Sequence, residues 1–170
     1  MPRNVEIKAQ LSTPDEQHAR AAKLSGGDPE VIVQEDVFFP SRSGRLKLRI
    51  FSPSAGELIF YERADQSGPK TSSYSLVETT EPRQLRLLLE QALGVRNIVR
   101  KTRYLYLVGR TRIHIDQVES LGDFLELEVM LGPTEEPAAG EREAQDLMRA
   151  LGIDAAQLVE GAYVDLLEEE

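Results

Sequence analysis

Polar and apolar side chains alternate without a break along Asn4-Val5-Glu6-Ile7-Lys8-Ala9-Gln10-Leu11, the period-two signature of a β-strand with two unlike faces. Val5, Ile7, Ala9 and Leu11 share one face. Asn4, Glu6, Lys8 and Gln10 share the other. The same alternation returns along the chain. Val31 to Phe39 is extended ahead of Pro40, Ser41 to Gly44 reads as a hairpin turn, and Leu46 to Phe51 places Lys47 and Arg49 on one face. Leu58 to Arg63 is the returning strand, with Tyr61 and Arg63 on one side. After a polar loop from Ala64 to Thr71, Ser73 to Glu78 forms a further strand. Beyond Val95 three strands follow in succession: one carries Lys101 and Arg103 and ends near Val108, Arg110 to Val118 sets Arg110, Arg112, His114 and Asp116 on one face, and Phe124 to Leu131 sets Glu126 and Glu128 opposite Leu125, Leu127, Val129 and Leu131.

Helical spacing is confined to a few segments. Ser12 to Glu16 reads as a helix start with a hydroxyl cap, an early proline and acids that favour the dipole, and that helix runs to about Leu24. Glu81 to Leu93 has apolar residues at helical spacing and stops at Gly94. The Pro137 to Gly140 region reads as a loop before a helix from Glu141 to Leu151, and Asp154 caps a short last helix through Val159. Tyr163 and Asp165 belong to a closing segment, and the glutamates at the end read as solvated and frayed. About eight strands with few, peripheral helices predict an α+β fold built on an antiparallel sheet large enough to close into a barrel, within a single domain covering 1–170.

Composition narrows the chemistry. Of 170 residues 29% are charged and none is cysteine, which removes disulfides, thiolate catalysis and cysteine-held metal. No apolar run is long enough to cross a bilayer as a helix. The opening residues lack the basic, apolar and small-residue succession of a secretory leader, so a cytoplasmic location is the default expectation. A net charge of −9 disfavours nucleic acid as a partner, but lysine and arginine concentrate between Lys47 and Arg112 while the last third is acidic. That asymmetry leaves room for a small anion. Nothing in the pattern indicates an oligomeric state.

The charged strand faces admit two readings. In the ordinary one, apolar faces form the core and charged faces meet water. Against it stand the same-sign pairs two residues apart: Lys47 with Arg49, Lys101 with Arg103, Arg110 with Arg112, and Glu126 with Glu128. Like charges on one face repel, and a surface strand gains by mixing signs. Such pairs suit a barrel whose apolar outside is covered by helices and whose inside is a charged tunnel. There, basic groups would grip an oligophosphate, and Glu6, Glu126, Glu128 and Asp116 would offer hard oxygens to Mg²⁺ or Mn²⁺. His114 reads as a polar tunnel or rim residue rather than a zinc ligand, since its only histidine companion, His18, falls in a predicted helix.

Several of these stretches, in order, resemble the CYTH domain, the family also called triphosphate tunnel metalloenzymes, over nearly the whole chain. Asn-Val-Glu-Ile-Lys at 4 to 8 is similar to the family's Glu-x-Glu-x-Lys opening. Gln34-x-Asp36 with Phe38-Phe39, Gly44 to Arg49, Leu58 to Arg63, Arg112 to Asp116 and Leu121 to Glu128 resemble its later motifs. The length and spacing look closest to the small class IV adenylyl cyclase-like branch.

The resemblance implies a closed eight-stranded antiparallel barrel acting on triphosphates with Mg²⁺ or Mn²⁺. It implies Glu6, Glu126 and Glu128 as metal ligands, and Lys8, Lys47, Arg49, Arg63, Lys101, Arg103 and Arg112 as phosphate-binding residues. Lys8 and Asp116 are the candidates for a part in catalysis. The leading expectation is hydrolysis of inorganic tripolyphosphate or a nucleoside triphosphate. The alternatives are cyclisation of ATP to cyclic AMP and pyrophosphate, and non-catalytic binding of polyphosphate or nucleotide. Two departures are visible: the first acid of the opening motif is the neutral Asn4, and no lysine or arginine occurs from Ala150 onward, whereas the thiamine-triphosphatase branch uses a basic residue there.

Overall fold

The computed structural model describes residues 2–64 and 66–169. Eight strands, β1 (Arg3–Gln10), β2 (Glu30–Phe39), β3 (Arg45–Ser52), β4 (Ala55–Arg63), β5 (Lys70–Thr79), β6 (Asn97–Val108), β7 (Thr111–Val118) and β8 (Gly122–Leu131), close an antiparallel barrel in the order β1-β5-β4-β3-β2-β6-β7-β8. Four helices lie around it: α1 (Pro14–Ser25), α2 (Pro82–Leu93), α3 (Pro137–Ala150) and α4 (Tyr163–Glu168), with a single 3₁₀ turn at Ala155–Gln157. Among the described residues no helix is long and apolar enough to cross a membrane.

The alternation seen in the sequence decides which way each strand faces, because a one-residue slip would exchange inside for outside. Outward-facing Val5, Ile7 and Ala9 of β1, Ile113 and Ile115 of β7, and Leu125, Leu127 and Val129 of β8 are buried beneath Ala21 of α1 and Ala144 and Met148 of α3. On the far side, Val37, Phe39 and Leu48 form a second outer layer with Leu85 and Leu89 of α2. The charged faces therefore point into the barrel, and the solvent-facing reading of them is wrong.

A third apolar cluster lies inside. Phe38, Ile59, Tyr61, Val99, Val118 and Phe124 face inward and pack around Ala162, Tyr163 and Val164 at the start of α4. The C-terminal segment thus enters the barrel. It reaches there along β1, which pairs with β8 over all eight residues but with β5 only from Arg3 to Glu6. Beyond Glu6 the sheet edge is taken by the chain end: Val159 N–H donates to the Lys8 carbonyl at 3.0 Å, and Ala9 and Leu158 form an isolated bridge.

Several boundaries differ from the sequence reading. β5 begins at Lys70, inside the stretch read as loop, because its first residues pair with β1. The Thr13 hydroxyl does not cap the α1 backbone but meets the side chains of Glu16 and Gln17, each at 3.4 Å. The segment after Asp154 is only the 3₁₀ turn, and α4 is a separate helix. Its Glu168 pairs with Arg96 at 2.9 Å and is not frayed; Glu170 lies outside the described residues.

Helix α3 starts at Pro137 and takes in Gly140, which had read as part of a loop. The glycine is there for proximity: a Cβ at this position would lie 2.8 Å from Leu131 Cδ2 and 3.0 Å from Val5 Cγ2. Replacing Gly140 with leucine should push α3 off β1 and β8 and lower the unfolding free energy by about 2 kcal/mol, in the range of overpacked cores. Urea unfolding monitored by circular dichroism reads this out, and an unchanged midpoint would contradict the close contact.

Candidate active site

The inward side chains of the strands enclose a cavity of about 350 Å³. All seven residues predicted to bind phosphate line it, as do the predicted metal residues Glu6, Glu126 and Glu128, together with Asn4, Tyr61 and Tyr163. Arg112 is exposed at the rim. Arg110, on the same face in the sequence reading, instead turns outward and pairs with Glu135 at 2.6 Å and with Glu143 at 2.9 Å. A larger concavity of about 720 Å³ crosses β2, β3 and β6. There Glu35 takes both Arg86 and Arg100, at 2.7 and 2.8 Å.

Burying so many cations requires acids at hydrogen-bonding distance, since the desolvation cost is several kcal/mol per ion unless geometry compensates. Two strand-crossing pairs meet that need. Asp36 of β2 accepts from Nε and NH2 of Arg49, directly opposite it on β3, both at 2.8 Å. Asp116 of β7 accepts from Nε and NH2 of Arg103, directly opposite on β6, again both at 2.8 Å. Each fork is bidentate, which fixes the guanidinium plane. Lys47 adds to the first pair at 3.2 Å, and Lys101 stands between the two carboxylates, 3.9 Å from each. Asp116 does not itself line the cavity. Its Oδ2 also accepts from the Tyr163 hydroxyl at 2.8 Å, so it acts through the groups it holds.

On β1 and β4 the pairing differs. Arg63 NH1 donates to Glu6 Oε2 at 2.6 Å, and its NH2 donates to the Gly161 carbonyl at 2.9 Å. Lys8 Nζ donates to the same carbonyl at 3.0 Å, lies 3.7 Å from Glu126 Oε2 and sits 4.1 Å above the Tyr163 ring. Gly161 and Tyr163 were not read as site residues. Lys70, in the stretch that the pattern reads as loop, is buried behind the cavity lining and opposite Glu6 in register, and its Nζ donates to the Gln66 carbonyl at 2.9 Å.

Electrostatics follow from burial. Desolvation lowers Lys8 to about 7 despite the opposing Glu126 carboxylate, and lowers Lys47 to about 8 with help from Arg49. Lys101 lies well below its ordinary value through burial and Arg103. Asp36 and Asp116 are desolvated too, but Arg49 with Lys47 and Arg103 with Lys101 outweigh that and hold both far down in the acid range. Burial likewise lowers His114 well below its usual value, leaving the imidazole neutral. The acid pair splits. Burial and the neighbouring Glu126 and Glu6 carboxylates push Glu128 up to about 7, while Lys8, Arg103 and Arg63 overcome burial to keep Glu126 ionised.

Oxygen-rich and anion-repelling, this end of the cavity could hold a divalent cation. The residues fit: ligand atoms of His114, Glu126 and Glu128 lie within 4.8 Å of one another, and the buried Asn4 Oδ1 has no hydrogen-bond partner. Glu6, opposite Glu128 in register, has one carboxylate oxygen engaged by Arg63 at 2.6 Å.

An eight-stranded closed barrel with a charged interior, a belt of cations and a carboxylate pair defines the class of tunnel proteins. The chain belongs to the CYTH family, whose domain model matches residues 2–163. It is 30% identical over 178 residues to adenylate cyclase CyaB of Aeromonas hydrophila, covering 97% of this chain and 88% of that protein. Among solved structures it resembles the PH1012 protein of Pyrococcus horikoshii, with a TM-score of 0.81 at 23% identity over 96% of this chain and 98% of that one. It also resembles the Pct1 RNA triphosphatase of S. pombe, with a TM-score of 0.53 at 13% identity over 88% and 85% of the two chains. These two structural likenesses establish the fold.

The split acid pair has a consequence for stability. Glu128 binds its proton more tightly folded than unfolded, so its contribution falls as pH rises from about 4.5 to about 7 and the full penalty stands above that window. Glu128→Gln should therefore stabilise the metal-free protein at pH 8 by up to about 3 kcal/mol, and the gain should vanish near pH 4. Denaturant melts at both pH values test this; equal gains at the two would show that ionisation of the buried Glu128 is not the cause.

Proposed function

We propose that this protein is a divalent-metal-dependent enzyme that hydrolyses triphosphate-bearing substrates inside the barrel. The observation carrying this reading is that seven cationic side chains and the Glu126–Glu128 pair line one cavity. Arg49 and Arg103 are held in fixed planes by their aspartates, and each retains donors for phosphate oxygens. Lys8, Lys47 and Lys101 supply point charges between them. Glu126, Glu128 and Glu6 are the carboxylates that would hold Mg²⁺ or Mn²⁺ at the anionic end, with Asn4 offering a neutral oxygen. A bound divalent ion there would neutralise phosphate charge and polarise the phosphorus under attack.

Lys8 joins the two halves, lying between Glu126 and the Gly161 carbonyl. With its ammonium lowered to about 7, it is suited to stabilise charge on a phosphate oxygen or to pass on a proton. Asp116 serves as a positioning residue through Arg103 and Tyr163. Cyclisation of ATP is the second reading, favoured by the adenylate cyclase name of the Aeromonas relative and by Tyr74 and Leu76 in the cavity lining, apolar surface on which a base could rest.

Tripolyphosphate, ATP and thiamine triphosphate, each with Mg²⁺ or Mn²⁺ and with phosphate and cyclic AMP both measured, separate these readings. Phosphate release supports hydrolysis, and cyclic AMP supports the second reading. Binding with neither product would sink both and leave a binding module. Glu126→Gln should reduce turnover by about 100-fold or more while tripolyphosphate binding persists; full activity would remove Glu126 from the site.

An incoming polyanion raises the pKa of the lysines it meets. Since Lys8 and Lys47 stand near 7 and 8, tripolyphosphate binding at pH 8.5 should take up protons. Calorimetry in buffers of different ionisation enthalpy measures the uptake, and zero uptake would place the anion away from these lysines.

A further inference from the structure

We propose that His114 is a metal ligand which, with Glu126 and Glu128, forms a one-nitrogen, two-carboxylate site that favours Mn²⁺ over Mg²⁺. The inference rests on the tunnel reading above and assigns a residue to which that reading gives no role. His114 faces inward from β7, directly opposite Glu126 on β8, with Arg112 and Glu128 the next facing residues on the same side of the ladder. It is 4% exposed, and its Nδ1 has no hydrogen-bond partner. A buried polar atom left in that state is destabilising unless something satisfies it. Glu128 Oε1 lies 3.8 Å from it, too long for a hydrogen bond. Two donors each about 2.1 Å from one cation stand roughly 3 to 4 Å apart, so that spacing suits a shared ion.

The other acids explain why a nitrogen is needed. Glu6 has Oε2 engaged by Arg63 at 2.6 Å, and position 4 carries a neutral asparagine. With Glu6 shared with Arg63 and Asn4 uncharged, Glu126 and Glu128 are the acids left to the ion, and His114 adds a nitrogen donor that no protein group engages. Imidazole is a borderline donor that suits first-row transition ions, whereas Mg²⁺ strongly prefers oxygen. Selectivity follows from that mismatch. The chain's other histidine, His18, is a built-in control, since it lies on α1 with Nδ1 2.8 Å from the Tyr106 hydroxyl.

The test is pulsed electron paramagnetic resonance on the full chain loaded with Mn²⁺, prepared once with ¹⁴N and once with ¹⁵N-labelled histidine. Wild type should show a histidine-nitrogen coupling that changes with the label and persists in His18→Gln. His114→Gln should lose it while still binding Mn²⁺, and its preference for Mn²⁺ over Mg²⁺ should fall about tenfold or more. The labelled wild-type spectrum decides the matter even where a variant folds poorly. Bound Mn²⁺ without histidine coupling, or a coupling that survives His114→Gln, overturns this inference and leaves the triphosphate reading intact. Failure of Mn²⁺ to bind, either alone or with a non-hydrolysable imidotriphosphate, overturns both.

Discussion

A charge can be kept inside a closed sheet only if an opposite charge is placed within hydrogen-bonding distance, and the whole barrel is arranged around that requirement. Asp36 faces Arg49 and Asp116 faces Arg103 because the strands carrying them are register partners. Each bidentate fork offsets two desolvation costs at once and holds a guanidinium flat. The register is in turn held from outside, where the alternate residues of the same strands pack beneath α1, α2 and α3. Slip one strand by a residue, and both layers fail together.

Charge matching is incomplete around the Glu126–Glu128 pair. Glu128 is buried beside the Glu126 and Glu6 carboxylates, so it retains a proton up to about 7. Asn4 and His114 add buried polar atoms without partners. Elsewhere in the cavity every predicted phosphate-binding lysine or arginine except Arg112 has an acid or a carbonyl beside it. The unmatched end is therefore the one that gains most from a cation, and the belt of Lys47, Lys101, Arg49 and Arg103 is the one that gains most from an anion. A metal–triphosphate complex carries both.

The chain end turns this barrel into a pocket. Gly161 places its carbonyl between Lys8 and Arg63, and Tyr163 reaches Asp116 while resting against Phe124, with ring centroids 5.1 Å apart. No basic residue comes from this segment, consistent with the absence of lysine and arginine after Ala150. Its contribution is a carbonyl, a phenol and an apolar plug. A signal for that plug was present in the alternation: Phe38 follows Asp36, Val99 precedes Lys101, Val118 follows Asp116 and Phe124 precedes Glu126, each by two residues. On four strands the charged face becomes apolar at the same end, which marks an interior surface waiting for a partner.

Strand identity, the division into apolar and charged faces, and the like-charge pairs were legible in the chain itself, because period-two alternation is a local property and same-sign neighbours on one face cost energy wherever they lie. The cavity-lining set from Lys8 to Glu128 could be listed on that basis and by resemblance to the family. Which acid meets which cation was not legible. Arg63 takes Glu6, Asp116 withdraws behind Arg103, Arg110 turns outward and Lys70 faces in, since these outcomes depend on register and closure between strands far apart in sequence. Gly140 reads as part of a loop for the same reason: it is there for close contact with Leu131 and with Val5, 135 positions away, and only packing can reveal such contacts. Local alternation determined the faces of the barrel; closure decided how its charges are paired.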